Sequence, residues 1–216
     1  MHRMKICVCS MNIETGNKKY EKLAELSVPH MMRYAQRVGA DFHLIQQREL
    51  SDSTKWHHIM WEKIQIKHLF QTYDRVFLVD IDCFITGNCP NVFENHEYPV
   101  FAGVNCGVSK KGWCPQFPKF LKFMGKEQGV DGNGGVILID KPYSKFLVPP
   151  KNWMEVADKF CLSQMWLFSN MHWNGIKISK LESRYNKMNN HTGEGIYHMC
   201  GRSLEDRVKM IEKFMS

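Results

Sequence analysis

Two carboxylates, Asp80 and Asp82, interrupt the most hydrophobic run of the chain, FLVDIDCFI at residues 77–85. An unpaired charge taken out of water costs several kcal/mol, and two like charges side by side cost more. A divalent cation is the simplest group that offsets both. Side chains alternate along a strand, so an extended backbone would point Asp80 and Asp82 to one side and Ile81 to the other. Oxygen ligands on one face suit a hard cation, Mg2+ or Mn2+. The same two residues also fit a strand end whose aspartates cap backbone N–H groups.

The surrounding residues say what positions the pair. MKICVCS (4–10) is a short apolar run and predicts a buried strand. Residues 17–40 then place Leu23, Leu26, Met31, Tyr34 and Val38 at helical spacing, with Pro29 kinking or dividing the helix and Gly39 stopping it. DFHLIQ (41–46) is a second strand. Strand, helix and strand with short links make a βαβ unit and favour a parallel sheet. Residues 55–71 predict a helix with Ile59, Lys63, Ile66 and Phe70 on one side. RVFLVD (75–80) is a third strand, apolar without alternation, as in a strand buried on both faces. Strands at 99–104 and 134–140 follow, with a helix at 117–127 between them. A helix at 154–170, a short strand at 175–179 and a last helix at 203–215 complete the pattern. Ser203 is the N-cap of that last helix, and Val208, Ile211 and Met215 share its apolar face. The expectation is one α/β domain over residues 1–216 with a mixed, mostly parallel sheet. Ligands of such sheets bind beyond the carboxyl ends of central strands, which is where Asp80 stands.

Composition narrows the classes. The 216 residues are 44% hydrophobic and 24% charged, the balance of a globular protein. The net charge of +7 would draw in an anion such as a nucleotide, but no run of five Lys/Arg exists, which argues against nucleic-acid binding. Cysteines stand at 7, 9, 83, 89, 106, 114, 161 and 200 with no C-x-x-C spacing, so free thiols in a reducing compartment are expected. No signal-peptide pattern and no 18-residue apolar run occur, which points to the cytoplasm, without secretion or a membrane span. Asn190, His191 and Thr192 match a glycosylation acceptor by chance on that reading. The six tryptophans, Trp56, Trp61, Trp113, Trp153, Trp166 and Trp173, are read mostly as core, with sugar stacking as their other use.

The segment YDRVFLVDIDCFITGN (73–88) resembles the D-x-D segment of GT-A fold glycosyltransferases. Further segments match in order: WEKIQIKHLFQTYDRV before the motif, DGNGGVILID, CLSQMWLFSN, SRYN and IYHMCG. The resemblance spans residues 5 to about 202. It is nearest to retaining enzymes of the glycogenin and galactosyltransferase kind and to compact glycosyltransferases of large algal viruses. It implies a UDP-sugar donor (glucose-, galactose- or rhamnose-type), a glycan or protein-linked sugar acceptor, and, for a viral chain, the host cytoplasm. It also divides the domain into a nucleotide half (about 1–105) and a sugar and acceptor half (about 106–216).

The implied roles are specific. Asp82 holds the metal, Asp80 is shared between metal and ribose, and His198 is the third ligand. An imidazole favours Mn2+, with Mg2+ as the alternative. Ser10 and Asn12 hold base and ribose, and Lys63 meets the donor. Gly201 and Arg202 meet the diphosphate. Asn133, Gly134 and Gly135 border the sugar, where the glycines let backbone approach closely. Asp131 accepts from sugar hydroxyls, and with Gln164, the side-chain amide of a retaining mechanism, it makes the candidate catalytic set. Two departures stand out. Ser163 replaces the family's Asp before the glutamine. GRSLED replaces G-x-x-K-P-W after the histidine, leaving Arg202 or Arg207 for the lysine's task.

Other classes fit less. Phosphatases with a nucleophilic D-x-D carry Thr or Val where this chain has Phe84. A nucleotidyltransferase needs a Gly-rich basic loop after the first strand, and SMNIETGNKK has none. A non-catalytic sugar- or nucleotide-binding module would have no need of Asp82.

Overall fold

The computed structural model describes residues 3–14, 18–94, 96–112, 114–160, 163–188 and 192–215. Trp113, Cys161, Asn190 and His191 lie outside them. The first unit forms as its pattern dictates. Strand β1 (Ile6–Met11) is followed by helix α1 (Lys18–Val38) and by β2 (Asp41–Ile45), parallel to β1 with Cys7 opposite Asp41. α1 runs through Pro29 without dividing, so of the two expected effects division does not occur. Leu23, Met31 and Tyr34 are buried along it, and that packing holds the helix together across the missing N–H. Gly39 stops it with φ 70°.

The predicted helix at 55–71 is α2 (Trp56–Ile59) running on into a 3-10 helix, Met60–Gln71. Trp61, Glu62, Lys63, Ile64, Ile66 and Phe70 are all buried, so this segment has no single apolar stripe. β3 (Arg75–Val79) is buried at every residue. It lies between β1, to which it is parallel, and β6 (Gly129–Asp140), to which it is antiparallel. β5 (Phe101–Ser109) pairs with β6, and the short β7 (Ser179–Lys180) closes the far edge. The order is β2-β1-β3-β6-β5-β7, and among the described residues β6 alone runs against the others.

The two faces of this sheet build two cores. Val8, Phe77, Val79, Val136 and Leu138 pack toward α1, while Cys7, Cys9, Val76, Leu78, Ile137 and Ile139 pack on the opposite face. That is why these strands read as unbroken apolar runs. At the base, Arg75 Nε and Asp140 Oδ1 pair at 2.5 Å, both buried.

β6 begins at Gly129, five residues earlier than the apolar run suggested. DGNGG is therefore part of a strand, not a loop before one. The predicted helix at 154–170 is helical on both sides of residues 161–162, which lie outside the described residues: α4 (Trp153–Phe160) and α5 (Ser163–Trp173), with α3 (Phe117–Phe123) earlier in the chain. A small second sheet pairs β4 (Cys83–Ile85) with β8 (Ile196–His198), antiparallel, with Cys83 opposite His198. α6 (Leu204–Met215) is capped as expected, the Asp206 N–H donating to Ser203 Oγ at 3.1 Å. Ile211 is fully buried but Met215 is exposed, and in the last turn Phe214 carries the apolar face instead, packing on Phe84 and Tyr197.

Among the described residues no helix is long and apolar enough to cross a membrane. The seven described cysteines are free. Trp61 and Trp153 are core, whereas Trp56 is half exposed.

Candidate active site

β3 ends in a turn. The Cys83 N–H donates to the Asp80 carbonyl at 3.0 Å, so the backbone between the two aspartates is not extended and the same-side expectation fails. The turn still delivers both carboxylates to one cavity of about 660 Å³. Asn133, Gly134 and Gly135 of β6 line it, as do Gln164 of α5, His198 of β8 and Gly201.

Asp82 is buried, with Oδ1 3.3 Å from His198 Nε2 and Oδ2 2.9 Å from an Arg207 guanidinium nitrogen. Burial alone would raise its carboxyl. The charge and hydrogen bond of His198, then Arg207 and Lys63, more than reverse this and hold it at about 2. His198 is the mirror case: burial disfavours its charge, and Asp82 beside it raises it to about 10. Lys63 is buried, not a solvated helix-face lysine. Its Nζ lies 2.5 Å from Asp80 Oδ1 and donates to the Gly134 carbonyl at 3.1 Å.

Asp82, His198 and Cys83 bring ligand atoms within 4.8 Å of one another. Burial raises the Cys83 thiol well above its usual range, so it is a poor partner for a hard cation. Asp82 with one imidazole nitrogen is a donor pair that Mn2+ accepts, and Asp80 lines the same cavity outside that group, its Oδ1 held by Lys63. The backbone makes room for it. A methyl at Gly135 would overlap the His198 ring, and one at Gly134 would come 2.9 Å from Gln164 Cβ. A second group, His57, His58 and Asp158, also comes together. There Asp158 Oδ1 is already bonded by Lys55 at 2.9 Å as well as by the two imidazoles at 3.0 Å each. It anchors α2 to α4.

Five expected residues do not line the cavity; Lys63 is one, buried behind Asp80 and Gly134. Ser10 is fully buried within β1, and its hydroxyl has no hydrogen-bond partner among the described residues. Asn12 follows β1, its N–H bonded to Ile45. Asp131 is buried, its carboxylate accepting from Cys114 N–H at 2.6 Å and Gly132 N–H at 2.9 Å. Arg202 is exposed, and Arg207 takes the place at the cavity. The reading from residues alone missed Tyr20 and Met188 on the wall, and it left Trp56 at the mouth undecided. It also missed Asn186, bonded to His198 at 2.9 Å, whose signal was the SRYN segment.

No family model matches the sequence, and no curated protein does. Solved structures do. A glycosyltransferase involved in glycosylation of the major capsid of PBCV-1 aligns over 97% of this chain and 99% of its own, with TM-score 0.60 and 12% identity. The galactosyltransferase LgtC, solved with donor and acceptor sugar analogs, aligns over 97% and 96%, with TM-score 0.54 and 12% identity. A structure of LgtC with an active-site glutamine changed to glutamate aligns with TM-score 0.56 and 10% identity, over 98% of this chain and 96% of its own. Mouse xyloside xylosyltransferase 1 aligns over 91% and 98%, with TM-score 0.52 and 13% identity. With its mixed sheet, its aspartate turn beyond β3 and these alignments over nearly its whole length, the chain has the GT-A glycosyltransferase fold.

Proposed function

We propose that this protein is a divalent-metal-dependent glycosyltransferase, moving a hexose from a UDP-sugar to a hydroxyl of a glycan or protein-linked sugar, with retention. The observation that carries the reading is the meeting of Asp80, Asp82 and His198, from the D-x-D turn and from β8, at one cavity. Asp82 and His198 with Asp80 would hold Mn2+, or Mg2+ in its place. When bound, the ion supplies Lewis-acid neutralisation of the diphosphate.

The chain's own groups do the rest. Arg207, on the cavity wall beside Asp82, binds diphosphate oxygens as the bond to the sugar breaks, and Lys63 holds Asp80 from behind with its positive charge. Asn133, Gly134 and Gly135 border the sugar. The side-chain amide of Gln164, which packs against Gly134 and lines the cavity, would offer a developing oxocarbenium ion an uncharged oxygen. The active-site glutamine of LgtC supports this role. Asn12, just past the end of β1, serves the base and ribose, while Ser10, fully buried, only shapes that strand end. Asp131 shapes the sugar pocket by holding the backbone at Cys114 and Gly132. Residues up to about 105 serve the nucleotide and the rest the sugar and acceptor, in the cytoplasm, the host's if the chain is viral.

A panel of UDP-sugars with Mn2+, read by UDP release, tests this reading. One sugar should be turned over in a metal-dependent way. Binding without release would favour a non-catalytic module instead.

A further inference from the structure

We infer that Asn186 is a positioning residue that decides which nitrogen of His198 carries hydrogen and which faces Asp82. On the metal reading above, on which this rests, it thereby prepares His198 as a ligand. The orientation follows from one group that can only donate. The Gly135 backbone N–H lies 2.8 Å from the Asn133 side-chain oxygen, so that atom is the acceptor end of the amide. The same oxygen is 2.8 Å from the Asn186 side chain, which must therefore present its NH2 there. The Asn186 oxygen is left facing His198 Nδ1 at 2.9 Å, and an amide oxygen can only accept. Nδ1 thus carries hydrogen in the neutral ring as in the charged one. Nε2, 3.3 Å from Asp82 Oδ1, is the one available to a cation.

The chain of bonds is sealed and braced. Asn133, Asn186 and His198 are 5%, 3% and 3% exposed, so water does not substitute for a lost partner. Asn186 also cannot drift from His198. The next residue, Lys187, donates its N–H to Ile196 at 2.8 Å and accepts from the His198 N–H at 3.0 Å. SRYN, DGNGG and IYH are therefore three parts of one device aimed at Asp82.

The test compares Asn186→Leu, which abolishes the acceptor, with Asn186→Asp, which keeps it. Mn2+ binding to the metal-freed protein is measured by calorimetry. Melting in EDTA and 15N spectra of the histidine rings are recorded alongside. The Leu variant should bind Mn2+ about 10–100-fold more weakly. The Asp variant, which keeps the acceptor at Nδ1 but gives up the NH2 toward Asn133 Oδ1, should bind more tightly than the Leu variant, and both should melt as folded proteins. A Leu variant with wild-type affinity, or an Asp variant as weak as Leu, overturns the inference. The spectra read the tautomer without metal: Nδ1 should carry hydrogen in wild type, and an unprotonated Nδ1 refutes the proposal. Wild type that takes up no Mn2+ while Nδ1 carries hydrogen would support the orientation and count against the metal reading alone.

Discussion

Asp82 and Arg207 are joined at 2.9 Å across the cavity wall, although the basic residue nearer to His198 in sequence is Arg202. The N-cap at Ser203 turns the chain, and the first turns of α6 carry Arg207 back over the aspartates while Arg202 is left outside. Arg207→Ala should lower kcat/KM for the UDP-sugar by tenfold or more, about 1.4 kcal/mol of transition-state stabilisation. Arg202→Ala should change it less than about twofold, because surface side chains away from a site seldom matter. Steady-state kinetics on the two variants decide between the positions.

Gly135 faces the His198 ring with no room for a methyl. Replacing glycine by alanine often stabilises a protein by about 0.4–1 kcal/mol. Here the sign should reverse: Gly135→Ala should lower the Tm and weaken Mn2+ binding together, as melting curves and calorimetry would show.

Trp56 is 50% exposed at the cavity mouth, unlike the buried Trp61 and Trp153. An exposed indole beside a sugar site offers a flat apolar face to a second sugar. Trp56→Ala should raise the acceptor KM several-fold while leaving hydrolysis of the donor and the Tm nearly unchanged. Initial rates at varied acceptor concentration test this.

His30 and His96 are each held below the ordinary histidine range, first by burial and then by Arg33 and Arg75 respectively. A folded state that prefers neutral imidazole binds fewer protons than the unfolded chain. Stability should therefore rise with pH through the window just below about 6.5, and fall as pH drops from 7 to 5. His30→Phe, which keeps the ring contact with Phe84, should flatten that slope in Tm measured against pH.

Much of this was legible in the residues. The runs at β1 and β3 are buried on both faces, so they declared themselves without alternation, and the segments around Asp82, Gln164 and His198 stand in the order of the fold. What stayed hidden depends on tertiary detail. The aspartates share a cavity through a turn rather than through strand alternation. The glycines of DGNGG read as a loop, yet they sit in β6 because His198 and Gln164 occupy the space of their missing side chains. Asn186 looks like any turn asparagine until Asn133 and His198 are seen on either side of it. Pro29 does not divide α1, because tertiary packing outweighs one lost hydrogen bond.

The most direct measurement is UDP release from the preferred UDP-sugar, with and without Mn2+, by wild type and by Asp82→Ala. Release should require the metal and should fall by at least a hundredfold in the variant, with the variant still folded. Release that proceeds equally well without metal, or that survives the loss of the Asp82 carboxylate, would contradict the account.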